Sequence, residues 1–285
     1  MRCQNEMMPP SVSQTIWVND QAVYAPGYKA FHHRRIASTV QKLREIGAKN
    51  IVEIGAHPWV MTAALVDEPG VTVRATVSAE EVMHWPDDIG VTAHPYHIRT
   101  ARGHEARFIN YSANIERTRF DLPEVPDMIL ACEIVEHLIR APHIMFLNIN
   151  RWLPVTGKLL VTTPNGAQFS NPFRRRSPTP AYRCRLYERH AYLYTLDALV
   201  ELVTLCGFKI TEAGYWNVYT RHGLSHAYRA FAHLPWQYCR DKFMQTIFVV
   251  GEKEKDMVEI AKPPHVYDPR GRWEFVMPND RHENG

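Results

Sequence analysis

The segment 132–137 concentrates side chains that can do chemistry, reading Cys132, Glu133, Ile134, Val135, Glu136, His137. On a helical turn, Glu133, Glu136 and His137 would be spaced i, i+3 and i+4 and would project from one face. Two carboxylates and an imidazole can hold a divalent cation such as Mg, Mn or Zn, with positions left for substrate oxygens. The alternative is a helix N-terminus enriched in acids because of the helix dipole, with His137 as an ordinary polar residue.

A second chemical signal lies at 50–59, which reads Asn-Ile-Val-Glu-Ile-Gly-Ala-His-Pro-Trp. The apolar residues of 51–54 are typical of a parallel strand covered on both faces, and Gly55 stands where the chain must bend sharply past a ligand. A glycine-rich dinucleotide loop would have two further glycines, where this chain has His57 and Trp59. The segment therefore predicts the first strand of a nucleotide-cofactor fold with an unusual loop.

Alternating apolar patterns position these two segments within one fold. They predict strands at 50–54, 71–77, 107–111, 127–131, 158–163, 208–211 and 244–250, and helices at 28–46, 61–66, 142–153 and 196–206. Such alternation predicts an α/β fold, a Rossmann-like doubly wound, mostly parallel seven-stranded sheet with helices on both faces. The segment 132–137 would follow the strand at 127–131, at the sheet edge where open parallel sheets bind their ligands.

The remaining stretches divide the chain into three parts. We expect an irregular N-terminal arm at 1–27, one domain at 28–251 and a peripheral C-terminal tail at 252–285. Within the domain, 82–106 is polar and weakly patterned, as in a long surface insertion, and 164–190 is a proline-rich basic loop that would act as a lid.

Charged residues on the first predicted helix are candidates for contact with a substrate or a phosphate. The four residues are His32, His33, Arg34 and Arg35. A solvated basic face is the simpler interpretation of such a run.

Composition excludes several classes of protein. The chain has 285 residues, 45% of them hydrophobic, and a net charge of +3, which is too small to imply nucleic acid by itself. Five scattered cysteines without a Cys-x-x-Cys pair suggest neither a disulfide framework nor a zinc knuckle, and they favour a reducing cytoplasm. The N-terminus lacks the apolar core of a secretory signal, and no run approaches the roughly 18 apolar residues that a membrane span needs. We expect a soluble, cytoplasmic protein.

Three segments together carry a family resemblance: Val-Glu-Ile-Gly at 52–55, Asp-Met-Ile-Leu-Ala-Cys-Glu-Ile-Val-Glu-His-Leu at 127–138, and 148–165 with its Thr-Thr-Pro-Asn end. Over roughly 50–215 the chain resembles class I S-adenosylmethionine-dependent methyltransferases. Residues 187–195 and the later Cys-Gly-Phe resemble methyltransferases of bacterial polysaccharide and glycolipid pathways, some of which share a Gly-Ala-x-Pro-aromatic turn. The resemblance implies S-adenosylmethionine as cofactor and S-adenosylhomocysteine as product.

The resemblance also implies roles for the acidic segment. Small-RNA 2′-O-methyltransferases and ubiquinone-pathway O-methyltransferases carry a similar Glu-x-x-Glu-His and a later histidine, which together hold a divalent cation. The corresponding ligands here would be Glu133, Glu136, His137 and His190. Without a metal, His137 or His190 would be the general base, because an imidazole titrates near working pH.

For the cofactor, the resemblance assigns the methionine moiety to the turn at 53–59, the ribose to the end of the second strand and the adenine to the residues after the third. The implied cofactor-binding residues are Glu53, Gly55, Ala56, His57, Trp59, Glu80, Asn114, Ile115 and Cys132. The chain departs from the pattern because His57 and Trp59 are bulky, Pro58 has no N–H, and no acid stands at the tip of the second strand. A variant pocket and an inactive one both agree with these departures, and the complete Glu-Glu-His-His set favours the former.

The leading functional hypothesis is transfer of a methyl group to a hydroxyl of a sugar, glycan or glycolipid, assisted by a divalent cation. A second is ribose 2′-O-methylation of RNA, with Arg174, Arg175 and Arg176 binding phosphates. A third is a non-catalytic subunit with a methyltransferase fold that binds a partner. The identity of the acceptor, the regiochemistry and the oligomeric state do not follow from the sequence.

Overall fold

The computed structural model describes residues 15–24, 26–78, 90–138, 141–168, 193–216 and 243–260. The strands in this part are β1 (Thr15–Val18), β2 (Gln21–Tyr24), β3 (Asn50–Ile54), β4 (Thr72–Ser78), β5 (Thr92–Arg99), β6 (Glu105–Ser112), β7 (Met128–Cys132), β8 (Lys158–Pro164), β9 (Phe208–Trp216) and β10 (Thr246–Lys253). The α-helices are α1 (Pro26–Ile46), α2 (Val60–Val66), α3 (Pro142–Trp152) and α4 (Leu196–Leu205). A 3₁₀ turn spans Val135–His137.

All the described strands belong to one sheet, in the order β2-β1-β5-β6-β4-β3-β7-β8-β10-β9. The five strands β6, β4, β3, β7 and β8 are mutually parallel, and β10 runs antiparallel between β8 and β9. Each of the seven predicted strands is present, and the central strands are parallel as predicted, whereas the sheet as a whole is mixed. The parallel strands place their carboxyl ends along one edge.

The predicted strand count was wrong, because the described part of the chain has ten strands rather than seven. The additional strands β1, β2 and β5 extend the sheet beyond β6 with antiparallel pairing. The sequence predicts an irregular arm at residues 15–24 and places the whole of β5 in a surface insertion. In β1, Ile16 and Val18 alternate into the core, and Asn19 and Asp20 adopt the left-handed conformation of a tight hairpin turn.

Two apolar clusters fill the two faces of the sheet. One joins the central strands to α1 and α2 and includes Leu43 and Leu65, and the other joins them to α3 and α4 and includes Phe146 and Leu199. The helices therefore cover both faces, as predicted.

Several sequence predictions fall outside the described residues. Glu80, His190 and the arginines at 174–176 belong to this group, as do most of the basic lid loop and most of the tail. The division into arm, domain and tail stays a prediction. Among the described helices, none is long and apolar enough to cross a membrane.

Candidate active site

The ends of β3, β7 and β8 meet at one edge of the sheet and bring the two chemical segments together. Ile54 pairs with Ala131, and Cys132 pairs with Thr162. The turn after β3 and the acidic segment after β7 are therefore neighbours in space. This arrangement agrees with the expected ligand edge of a parallel sheet.

The acidic segment does not form the predicted helical turn. Glu133 adopts a left-handed backbone conformation with φ of 56°, and the 3₁₀ turn begins two residues later. The side chains are instead held by the end of β8: the Thr162 hydroxyl donates to Glu133 Oε1 at 3.0 Å, and the Thr163 hydroxyl donates to Glu136 Oε2 at 2.8 Å. Two adjacent threonines thus fix the two carboxylates, a role that the α-helical spacing did not predict.

Glu136 is the most deeply buried acid of this segment, with 1% of its surface exposed. Burial raises its pKa well above the usual value, and the neighbouring Glu133 charge raises it further. Its Oε1 atom is buried and has no hydrogen-bond partner among the described residues. His137 Nε2 lies 3.9 Å from this oxygen, too far for a hydrogen bond. A carboxyl that keeps its proton therefore stands beside an imidazole that is partly open to solvent.

A buried arginine from α1 completes the site on the other face of the sheet. Arg35 has only 2% of its surface exposed, so the interpretation of this residue as part of a solvated basic face was wrong. Its positive charge opposes the effect of burial on the pKa of Glu53, Cys132 and Glu136. One guanidinium thus acts on groups from both chemical segments.

Glu53 points toward α2, where the Thr62 hydroxyl donates to its Oε2 at 2.6 Å. Burial raises the pKa of Glu53 to about 8, against the opposing effects of Thr62 and Arg35. Burial likewise raises the pKa of the Cys132 thiol to about 12. Around neutral pH, the described part of the site therefore holds a guanidinium among buried acids that are largely protonated.

The turn after β3 brings its backbone close to the acidic segment. Gly55 has φ of +79°, and a Cβ there would lie 3.1 Å from Ile134 Cδ1. Its N–H donates to Val77 O at 2.8 Å. A side chain at position 55 would be both strained and crowded, which is why glycine stands there. Beyond it, Ala56 is buried, His57 is exposed and the His57–Pro58 peptide bond is cis.

The side chain of Trp59, a predicted cofactor-binding residue, packs in the core. Its φ is +68°, and the indole lies 5.0 Å from the Tyr96 ring and 6.2 Å from the Phe108 ring between centroids. Only 4% of the residue is exposed. The unpredicted strand β5 supplies Tyr96, so the bulk at position 59 has a structural partner. The part of Trp59 in cofactor binding stays a prediction.

Replacing Trp59 by phenylalanine should lower the free energy of unfolding by about 1–2 kcal/mol, because a smaller ring leaves space in the aromatic cluster. The affinity for S-adenosylhomocysteine should stay close to that of the wild type. Denaturant unfolding and titration calorimetry would measure the two effects. A large loss of affinity at unchanged stability would show that the indole contacts the cofactor.

The residues assigned to ribose and adenine are only partly described. Asn110 on β6 accepts from the Thr76 hydroxyl and donates to Ser78 at the end of β4, so buried neutral groups stand at the tip of β4. Asn114 accepts from the Glu116 N–H and shapes the turn after β6, and Ile115 is buried beside it. Their predicted contacts with adenine stay predictions.

Arg35, Thr62, Thr162 and Thr163 are site residues that the sequence reasoning missed. Arg35 precedes Thr39 and Leu43 by four and eight residues, and all three are buried. This spacing placed Arg35 on the buried stripe of α1, although its charge suggested solvent. The two threonines of β8 lie in the Thr-Thr-Pro-Asn segment, which was used for the resemblance but not for the site.

The side chains of the acidic segment include ligand types that a divalent cation accepts. In the part of the chain that the structure describes, no group of three or more His, Cys, Asp and Glu side chains is arranged to hold a metal ion. The chemistry of Glu133, Glu136 and His137 suits such an ion, and the buried Glu136 Oε1 offers it a carboxylate oxygen. Binding would therefore need a further ligand and a rotation of at least one of these side chains.

Comparisons with known proteins place this site in a methyltransferase fold. One similar structure is the Haloferax volcanii complex between the Trm112 methyltransferase activator and a protein designated a methyltransferase. The matching chain is 12% identical, with a TM-score of 0.50, and the match covers 80% of this chain and 93% of that one. An S-adenosylmethionine-dependent methyltransferase from Mesorhizobium loti is 14% identical, with a TM-score of 0.46 over 72% and 91%. The N-methyltransferase NodS from Bradyrhizobium japonicum WM9, in complex with S-adenosylhomocysteine, is 12% identical, with a TM-score of 0.44 over 78% and 87%.

Neither a protein-family model nor a curated protein matches the sequence. The first of these solved structures reaches the similarity at which a shared fold is meaningful, and its identity is too low to transfer an activity. The chain therefore has a Rossmann-like fold shared with the methyltransferase chain of the Haloferax volcanii complex.

Proposed function

We propose that the protein is an S-adenosylmethionine-dependent O-methyltransferase that acts on a hydroxyl of a sugar, glycan or glycolipid. The observation that supports this most is the buried set of Arg35, Glu53 and Glu136 at the carboxyl edge of the parallel strands. The methionine end of the cofactor carries a carboxylate, an ammonium and a sulfonium. The Arg35 guanidinium is complementary to the carboxylate of the cofactor, and the two acids are complementary to its ammonium and sulfonium.

The charge balance explains why a cationic cofactor would suit this site. Glu53 and Glu136 keep their protons because burial penalises the carboxylates more than Arg35 compensates them. An ammonium or sulfonium placed nearby would favour the ionised carboxylates, and Arg35 would pair with the carboxylate of the cofactor. In this arrangement Glu53 lies toward the methionine moiety and Glu136 toward the acceptor.

His137 would be the group that takes the proton of the acceptor. In the reaction, the acceptor oxygen attacks the methyl carbon, the carbon–sulfur bond breaks with its electron pair moving to sulfur, and the hydroxyl proton goes to an imidazole nitrogen. His137 is partly exposed and is next to Glu136, so the imidazolium formed would have an acid beside it. His190 is the alternative base. The carboxyls held by Thr162 and Thr163 would help to align the reacting atoms.

A divalent cation belongs to the same proposal. Glu133, Glu136 and His137 would hold it, with His190 as the fourth ligand. When bound, the cation would orient neighbouring hydroxyls and lower the pKa of the acceptor. A vicinal diol of a sugar suits such chelation.

Calorimetry with S-adenosylhomocysteine tests the cofactor part of the proposal. We expect the wild type to bind, and Gly55→Ala to bind at least about tenfold more weakly because its Cβ meets Ile134 and displaces the turn. Gly70→Ala is a matched control: its φ is +78°, close to that of Gly55, and no atom lies within 4 Å of its added Cβ. Equal losses of affinity in both variants would indicate a general loss of stability. No binding by folded wild-type protein would exclude the proposed activity.

A further inference from the structure

A groove of about 490 Å³ lies beside the turn after β3. The hairpin of β1 and β2 contributes Val18, Asn19, Gln21 and Val23 to its wall. The turn contributes His57 and Trp59, and β5 contributes Tyr96. Its volume falls within the roughly 300–1,000 Å³ that is typical of small-molecule sites. The groove thus joins the unpredicted antiparallel strands to the loop assigned to the cofactor.

The lining of this groove combines apolar and uncharged polar groups. Trp59 and Tyr96 supply aromatic rings, and Val18 and Val23 add aliphatic surface. Asn19 and Gln21 are exposed amides that can donate and accept hydrogen bonds. None of the seven lining residues is Lys, Arg, Asp or Glu.

The orientation of the hairpin amide is fixed by the strand beside it. Asn19 Oδ1 accepts from the His97 N–H at 2.9 Å, and the Asn19 N–H donates to His97 O at 2.8 Å. The Nδ2 group of Asn19 then carries the donors of this side chain. A polar group held in place by a strand loses little conformational freedom when a ligand binds.

These features select one class of ligand. A phosphate or a nucleic acid would find no cation in the lining, so its charge would be desolvated without compensation. A neutral sugar ring presents a face of C–H groups and a rim of hydroxyls. The rings and aliphatic groups match the face, and the amides and the His57 imidazole match the rim.

We propose that this groove binds a neutral sugar unit next to the cofactor loop. The ligand contacts Gln21 and Asn19 through its hydroxyls and lies against Tyr96 and the edge of Trp59 with its apolar face. The sugar unit would belong to the methyl acceptor, and this role rests on the proposed function. Binding itself does not depend on methyl transfer.

Saturation-transfer NMR on the full chain tests the groove, with glucose, galactose, mannose, rhamnose and fucose as neutral probes and glucose 6-phosphate as the charged comparison. We expect transfer to at least one neutral sugar. Gln21→Ala should weaken its binding about fivefold, the effect of losing one hydrogen bond. Gln41→Ala is the matched control, because Gln41 is also an exposed glutamine but lies on α1, outside the groove. It should leave sugar binding unchanged.

The outcomes separate this inference from the proposed function. Absence of transfer to every neutral sugar, unchanged binding by Gln21→Ala, or preferential binding of glucose 6-phosphate would each overturn the sugar site. Calorimetry with S-adenosylhomocysteine on the same preparation reports the cofactor site independently. Cofactor binding without sugar binding would contradict only the sugar site. Sugar binding without cofactor binding would support the sugar site and contradict the methyltransferase proposal.

Discussion

Replacing Glu136 by glutamine is expected to reduce methyl transfer by at least about 100-fold while leaving the fold intact. The pKa of Glu136 is raised well above its usual value by burial and by Glu133, so the resting side chain is neutral. Glutamine copies that neutral shape and can still accept the Thr163 hydroxyl through its amide oxygen. It cannot ionise beside an imidazolium or a cation, which is the property that the proposed reaction requires.

Transfer of tritium-labelled methyl groups from S-adenosylmethionine to a mixture of polysaccharides and glycolipids measures this effect. Thermal unfolding and S-adenosylhomocysteine affinity of Glu136→Gln should remain near the wild-type values. Thr163→Val is the comparison variant, since it removes the hydroxyl but keeps the acid. Wild-type turnover by Glu136→Gln would show that Glu136 acts only as a neutral hydrogen-bond acceptor and that its ionisation is not needed.

His190→Ala and an excess of chelator separate the two forms of the mechanism. If the cation is required, both treatments should abolish turnover while cofactor binding is retained. If His137 is the base and no cation takes part, the wild type should keep full activity in chelator. That result would contradict the metal role and leave the cofactor proposal standing.

The seven strands and four helices were predictable because their apolar residues repeat with the periods of strands and helices. The antiparallel strands β1, β2 and β5 were not predictable in this way. In β5, Pro95 interrupts the strand pattern, and most side chains before Tyr96 are exposed, so the segment resembled a polar insertion. Its strand character comes from pairing with β6 along its whole length, a long-range contact that local patterns do not report.

The candidate site was predictable in position but not in geometry. The location of Glu133, Glu136 and His137 followed from the strand before them. The orientations of the two carboxylates depend on Thr162 and Thr163, which lie 29 and 27 residues further along the chain than Glu133 and Glu136. Arg35 is the opposite case: it lies on the buried stripe of α1 with Thr39 and Leu43, whereas a solvated position is the simpler prediction for a charged residue.

Glu53→Gln is expected to remove a large pH dependence of stability. The pKa of Glu53 is about 8 in the folded protein and 4.5 without the fold. Between these values the unfolded chain has released the proton and the folded chain retains it, so the unfolding free energy falls as pH rises. Full stabilisation is present below pH 4.5 and is lost progressively toward pH 8. From pH 5 to pH 8 the loss attributable to Glu53 is about 3 kcal/mol.

Urea unfolding of the wild type and Glu53→Gln at pH 5, 6, 7 and 8 measures this difference. The variant keeps an oxygen for the Thr62 hydroxyl, so the two proteins should have similar stability at pH 5 and diverge as pH rises, with the variant more stable at pH 8. Glu201→Gln, an exposed acid on α4, is the control and should follow the wild type. Parallel curves for Glu53→Gln and the wild type would mean that Arg35 already keeps Glu53 ionised. Glu53 would then be a carboxylate before the cofactor binds, contrary to the protonated state proposed above.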